Sequence, residues 1–169
     1  STDSDKIEEV VNALGLEVRI IKRPARYATD ESSTESVMLH FMEQVEFDKL
    51  VTIQATSPLL ESWHIDQALK RFHSEGLDSL LSAVRTKRFF WTDDARPINY
   101  DPMNRPRRQE FAGTLMENGA FYITRREILT QTGCRMGGRI GIYEMPEHTA
   151  VELDEPRDWE VVSILLENR

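Results

Sequence analysis

The first half of the chain switches repeatedly between two hydrophobic periods, and that alternation restricts the fold more than any other feature. Ile7, Val10, Val11 and Leu14 recur at helical spacing, and Gly15 supplies a stop. Segment 16–21 then alternates apolar and polar residues as a strand does. Val37, Met38, Phe41, Met42 and Val45 form a second helical stripe, with hydroxyl N-caps offered at 32–34. Segment 50–54 is β-branched and reads as a buried strand. A helix follows over 63–75, and 79–84 is another strand. Helices alternating with strands at this spacing predict an α/β fold with a mostly parallel sheet and right-handed crossovers.

The rhythm breaks after Val84. Segment 87–109 carries Trp91, three prolines and the basic cluster Arg105-Pro106-Arg107-Arg108, and it fits no helix. It reads as an excursion from the sheet. Strand character returns at 121–123, a short helix fits 125–131, a strand fits 140–143, and a last helix spans 156–167 with Pro156 in its first turn.

Length and charge narrow the function classes. The chain has 169 residues, the size of a single domain, and 21 Lys+Arg against 29 Asp+Glu give a net charge of −8. That balance argues against a general nucleic-acid binder, which needs a basic footprint, but leaves room for one anion in a local basic pocket. No apolar run approaches the roughly 20 residues of a membrane span. With only one cysteine, Cys134, no internal disulfide and no multi-cysteine zinc site can form. Ser1-Thr2-Asp3-Ser4-Asp5 reads as the turn after a strand, so the sequence is expected to be a fragment of a longer one.

Four constellations could carry chemistry. In an extended Glu152-Leu153-Asp154, the two carboxylates project together, an arrangement suited to a hard cation such as Mg²⁺ and equally to an acidic solvated face. Gln54-Ala55-Thr56-Ser57-Pro58 ends a buried strand, where α/β proteins bind ligands, and the Gln amide can read a nucleobase edge. A plain turn accounts for it as well. The Arg105-Pro106-Arg107-Arg108-Gln109 knot can hold carboxylate or phosphate, or simply be a solvated loop. Glu117-Asn118-Gly119 reads as a turn. No Gly-rich phosphate-loop or dinucleotide motif occurs, and the four histidines are scattered.

Taken in order, several segments resemble the cytidylyltransferases that activate nine-carbon acidic sugars, the CMP-N-acylneuraminate synthetases. They are Ser1 to Asp5, Arg23-Pro24-Ala25, Ala28 to Ser33, Gln54 to Leu59, Arg105 to Gln109, Glu117 to Ile123 and Glu152 to Pro156. The resemblance implies a Rossmann-like nucleotidyltransferase fold, one domain over 1–169, with 85–112 as a projecting arm for dimerisation and substrate binding. It implies transfer of CMP from CTP to the anomeric hydroxyl of sialic acid, with release of pyrophosphate. Arg23, Ser33, Thr34 and Gln54 would hold the nucleotide. Glu152 and Asp154 would hold Mg²⁺; Glu stands where the family usually has Asp, so Asp154 is the firmer ligand. Arg108, Gln109, Asn118 and Tyr122 match the sugar-facing region, with Arg108 and Asp154 expected to act in catalysis. A homodimer in the bacterial cytoplasm is expected, with no nucleic acid or membrane partner. The family's Gly- and Lys-rich triphosphate loop has no counterpart here, so its strand, loop and helix are expected upstream of Ser1. Rival expectations are a related acceptor (legionaminic, pseudaminic or 3-deoxy-octulosonic acid) and a remnant of the fold that performs no chemistry.

Overall fold

The computed structural model describes residues 1–167. Helices α1 (Asp5–Ala13), α2 (Thr34–Gln44), α3 (Ser62–Ser74), α4 (Arg126–Thr132) and α5 (Asp158–Glu167) surround strands β1 (Lys49–Ile53), β2 (Ser79–Thr86), β3 (Thr114–Arg125) and β4 (Ile140–Met145). The sheet runs β1-β3-β2-β4. β2 pairs with β4 in parallel, while β3 lies antiparallel to both β1 and β2. Three of the four strands therefore point the same way, as the α/β rhythm predicts, and β3 is the reversed one.

Local chemistry explains the element boundaries. Ser33 caps α2 by accepting from the Ser36 amide at 3.1 Å, which fills one donor left open at a helix start. α3 starts with a reciprocal box in which the Glu61 amide donates to His64 Nδ1 at 3.1 Å. α4 ends on Gly133, whose φ of 65° suits a residue without a Cβ. The core lies where α3 packs on the sheet: Ala68, Phe72, Leu77, Leu80, Phe121, Ile123 and Tyr143 form one contiguous buried cluster. Among the described residues, no helix is long and apolar enough to cross a membrane.

Two expectations from the sequence are corrected here. Segment 16–21 is not a strand; Leu16 and Val18 are exposed, and the only pairing nearby is an isolated parallel bridge between Thr2 and Lys22. Alternation suits a strand, but a ladder also needs a neighbour, and no described strand lies beside this one. The apolar stripe of α1 is likewise uncovered, with Ile7, Val10 and Leu14 all exposed. The second correction is the Asn118-Gly119 turn. β3 runs unbroken through it, and the pairing with β2 jumps from Leu81–Tyr122 to Ala83–Glu117. The extra residues form a bulge, with Gly119 at a φ of 63°. The same φ > 0 preference that favours a hairpin also serves a bulge, and here strand pairing on both sides decides the outcome. Ser82, opposite the bulge, accepts from the Phe121 amide at 3.0 Å and so replaces a lost ladder bond.

Segment 87–113 is the expected excursion between β2 and β3. It contains a short 3-10 turn (Pro102–Asn104) and is ordered by its own aromatics. Phe89 stacks on Tyr100 at 4.1 Å and meets Phe111 at 5.0 Å. The Arg105 guanidinium lies 4.6 Å over Phe89. Asn99 closes the segment by donating to Arg88 O and Thr114 Oγ1 and accepting from the Phe90 amide.

Candidate functional site

A cavity of about 590 Å³ opens beside β1, between the start of α2 and the N-terminal turn. Its walls are partly apolar, from Val37, Met38, Phe41 and Leu50, and partly polar, from Arg23, Thr34, Thr52 and Gln54. Gln54 sits just past the carboxyl end of β1, where its amide nitrogen donates to Ala120 O at 3.1 Å. Its side-chain Nε2 reaches Thr34 Oγ1 at 3.4 Å. Three of the expected nucleotide residues, Arg23, Thr34 and Gln54, therefore converge on one cavity. Ser33 does not line it. Ser33 caps α2 and so aims Thr34 at the cavity from the helix's first position.

Unpartnered polar atoms make this cavity chemically distinctive. Arg23 Nε and Thr52 Oγ1 are both buried with no hydrogen-bond partner, although Arg23 also pairs with Asp3 at 2.9 Å. Arg23 holds the Asp3 carboxyl below its usual range, chiefly through that hydrogen bond. A buried polar group left without a partner costs about 1–3 kcal/mol, so Arg23 and Thr52 favour a polar ligand that meets them.

The acidic pair is tied to the loop that leaves the cavity. Leu153 N donates to Thr56 O at 2.8 Å, which ties the acidic segment to the loop that follows Gln54. From the other side, buried Asn118 donates its Nδ2 to Thr149 O at 3.3 Å and anchors the short 3-10 turn Glu147–Ala150 that precedes it. Gly119 completes the seat: a Cβ there would come within 2.8 Å of Glu152 Oε1. Burial, and then the neighbouring Asp154, push the Glu152 carboxyl up from its ordinary value. Asp154 itself is exposed. Its amide and that of Glu155 both donate to the Asp158 carboxylate, at 2.9 and 2.7 Å, which holds that carboxyl below its usual range and fixes the turn into α5.

A Gly-shaped cradle under one carboxylate, with a second carboxylate close by, fits a hard divalent cation. Among the described residues no three His, Cys, Asp or Glu side chains gather as a metal cage. Glu152 and Asp154 would thus leave other positions to water and substrate oxygens, which is how Mg²⁺ is commonly held.

The expected sugar-facing residues are not all brought together. Asn118 and Tyr122 are each 3% exposed and flank the bulge, while Arg108 and Gln109 are exposed on the 87–113 excursion and do not line the cavity. Tyr122 donates its hydroxyl to Glu117, and burial followed by this bond pushes its hydroxyl up to about 12. The Arg135 guanidinium sits 4.3 Å over the Tyr122 ring and pairs with Glu35 at 3.3 Å. Glu117 belongs to the segment read as a turn and was given no role there, and Arg135 and Thr52 belong to no motif. Glu117 reaches Tyr122 only because of the bulge, and Arg135 comes from the loop between α4 and β4. Neither juxtaposition has a periodic signal.

A sheet with three co-directional strands and a cavity at the carboxyl end of one of them define an α/β fold with a candidate ligand site. The comparisons with known proteins are specific. A family model described as cytidylyltransferase matches residues 1–164, and the chain belongs to that family. It is 37% identical over 169 residues to N-acylneuraminate cytidylyltransferase A of Danio rerio, covering 95% of this chain and 39% of that protein. It is also 37% identical to the N-acylneuraminate cytidylyltransferase of Oncorhynchus mykiss, covering 95% of this chain and 38% of that one. The chain thus spans less than half the length of these relatives. A solved CMP:2-keto-3-deoxy-manno-octonic acid synthetase complexed with CTP shares the fold, with a TM-score of 0.68 at 18% identity over 98% of this chain and 78% of that one.

Proposed function

We propose that the protein transfers CMP from CTP to the anomeric hydroxyl of an N-acylneuraminic acid and releases pyrophosphate. The observation that carries this reading is the convergence of Arg23, Thr34 and Gln54 on one cavity, with the segment of Glu152 and Asp154 tied through Leu153 to Thr56, two residues beyond Gln54. The names of the Danio and Oncorhynchus relatives, both N-acylneuraminate cytidylyltransferases, support the same reading.

Gln54 offers a donor and an acceptor to the cytosine edge, and Thr34 holds the amide in place. Arg23, with its open Nε, supplies positive charge to the nucleotide. The sugar hydroxyl attacks the α-phosphorus, the bond to the pyrophosphate oxygen breaks, and the hydroxyl proton leaves to solvent. Negative charge grows on the phosphoryl oxygens during this exchange. Mg²⁺ held by Glu152 and Asp154 would offset that charge. The protein's own contribution is positioning and preorganised electrostatics, with no covalent intermediate. Arg108 and Gln109 would act from the arm at 85–112, across a homodimer, where the sugar carboxylate would pair with Arg108. A cytoplasmic setting agrees with the single free cysteine.

Gln54→Ala is expected to raise the CTP concentration needed for half-maximal rate by about tenfold, the worth of one or two specific hydrogen bonds, with the KM for sugar little changed. Steady-state kinetics with CTP varied checks this. An unchanged CTP requirement would remove Gln54 from the nucleotide site.

A further inference from the structure

The bulge in β3 creates a contact that none of the assigned roles uses. On a regular strand, residues five apart point to opposite faces and lie about 17 Å apart. Glu117 and Tyr122 are five apart, yet the Tyr122 hydroxyl donates to Glu117 Oε1. Tyr122 cannot move to accommodate its partner. Its backbone pairs with Thr52 on β1 and Leu81 on β2, its ring is covered by Arg135, and Arg135 is itself held by Glu35. The buried phenol is therefore the fixed member and the exposed carboxylate is the one being aimed.

Glu117 gains little stability from being aimed. It is exposed and makes no ion pair among the described residues. Ordering a long exposed side chain costs rotamer entropy, which a surface site rarely returns. Its second oxygen, Oε2, has no hydrogen-bond partner among the described residues.

We propose that Glu117 is a further substrate-binding residue, whose Tyr122-anchored carboxylate accepts a hydrogen bond from a hydroxyl of the acceptor sugar. The proposal rests on the functional reading above and sharpens its substrate class. The acceptor must present a neutral hydroxyl donor to this side of the bulge. Its own carboxylate must face away, because Glu117 and Glu152 would repel it.

The test uses wild type, Glu117→Gln and Tyr122→Phe with saturating CTP and Mg²⁺, and acceptor sugars that each lack one hydroxyl. Glu117→Gln is expected to raise the sugar KM about tenfold and leave the CTP KM unchanged. Wild type should lose a similar factor on one deoxy acceptor, and Glu117→Gln should lose nothing further on that same acceptor. Tyr122→Phe keeps the ring but frees the carboxylate, and should raise the sugar KM several-fold. An unchanged sugar KM in Glu117→Gln, or an equal rise for CTP, overturns the proposal alone. A wild type that accepts no sugar acid overturns the functional reading and this proposal together.

Discussion

Asp154→Ala is expected to cut turnover by about a thousandfold with almost no change in stability. The two halves of this expectation come from different atoms. The Asp154 carboxylate is exposed and has no hydrogen-bond or ion-pair partner among the described residues, so its loss leaves the packing intact. The bond that fixes the turn uses the Asp154 amide, which alanine retains. The catalytic loss follows if the carboxylate helps hold Mg²⁺, since removing charge stabilisation worth several kcal/mol corresponds to about this factor. Truncation also removes a charge that pushes the Glu152 carboxyl up, so Glu152 should titrate nearer its ordinary range. Pyrophosphate release and the melting temperature, measured side by side, check both halves. Near wild-type turnover would remove Asp154 from the metal site, and a large fall in melting temperature would give it a structural role instead.

The largest stability effect is expected at Phe121. Its side chain is fully buried in the cluster formed with α3, and its ring lies 5.9 Å from that of Tyr143. Phe121→Ala is expected to cost about 3–5 kcal/mol, because the lost transfer energy is joined by a cavity that the sheet cannot close. Denaturant melts should show this as a lower midpoint at an unchanged slope. Phe121 also stands between the bulge and Tyr122, with its amide bonded to Ser82, so the site loosens along with the core. A cost below about 1 kcal/mol would mean that β3 does not sit at the centre of the core.

The sequence made the helices legible because their signals are local. Ser33, Gly15 and the apolar spacing of 63–75 mark ends and faces without reference to the rest of the chain. Strands were legible only where a partner exists. The pattern at 50–54 yields β1, while the equally regular pattern at 16–21 yields no strand, since alternation cannot say what lies alongside. The Asn118-Gly119 pair signalled φ > 0 correctly but not its use; whether such a pair ends a strand or bulges it depends on ladders formed by distant residues. The same distinction separates the site residues. Gln54, Glu152 and Asp154 belong to short motifs and could be marked in advance. Glu117 and Arg135 acquire their neighbours only through the bulge and the fold, so no spacing rule reaches them.

The central claim is tested most directly by incubating the protein with CTP, Mg²⁺ and a panel of sugar acids, and by measuring both pyrophosphate and the nucleotide-linked sugar formed. N-acylneuraminic acid should yield a CMP-sugar in equal amount to pyrophosphate, faster than legionaminic, pseudaminic or 3-deoxy-octulosonic acid does. A faster rate with one of those acids would move the acceptor. Absence of both CTP binding and CMP-sugar formation would contradict the account and leave a fold of this family that performs no chemistry.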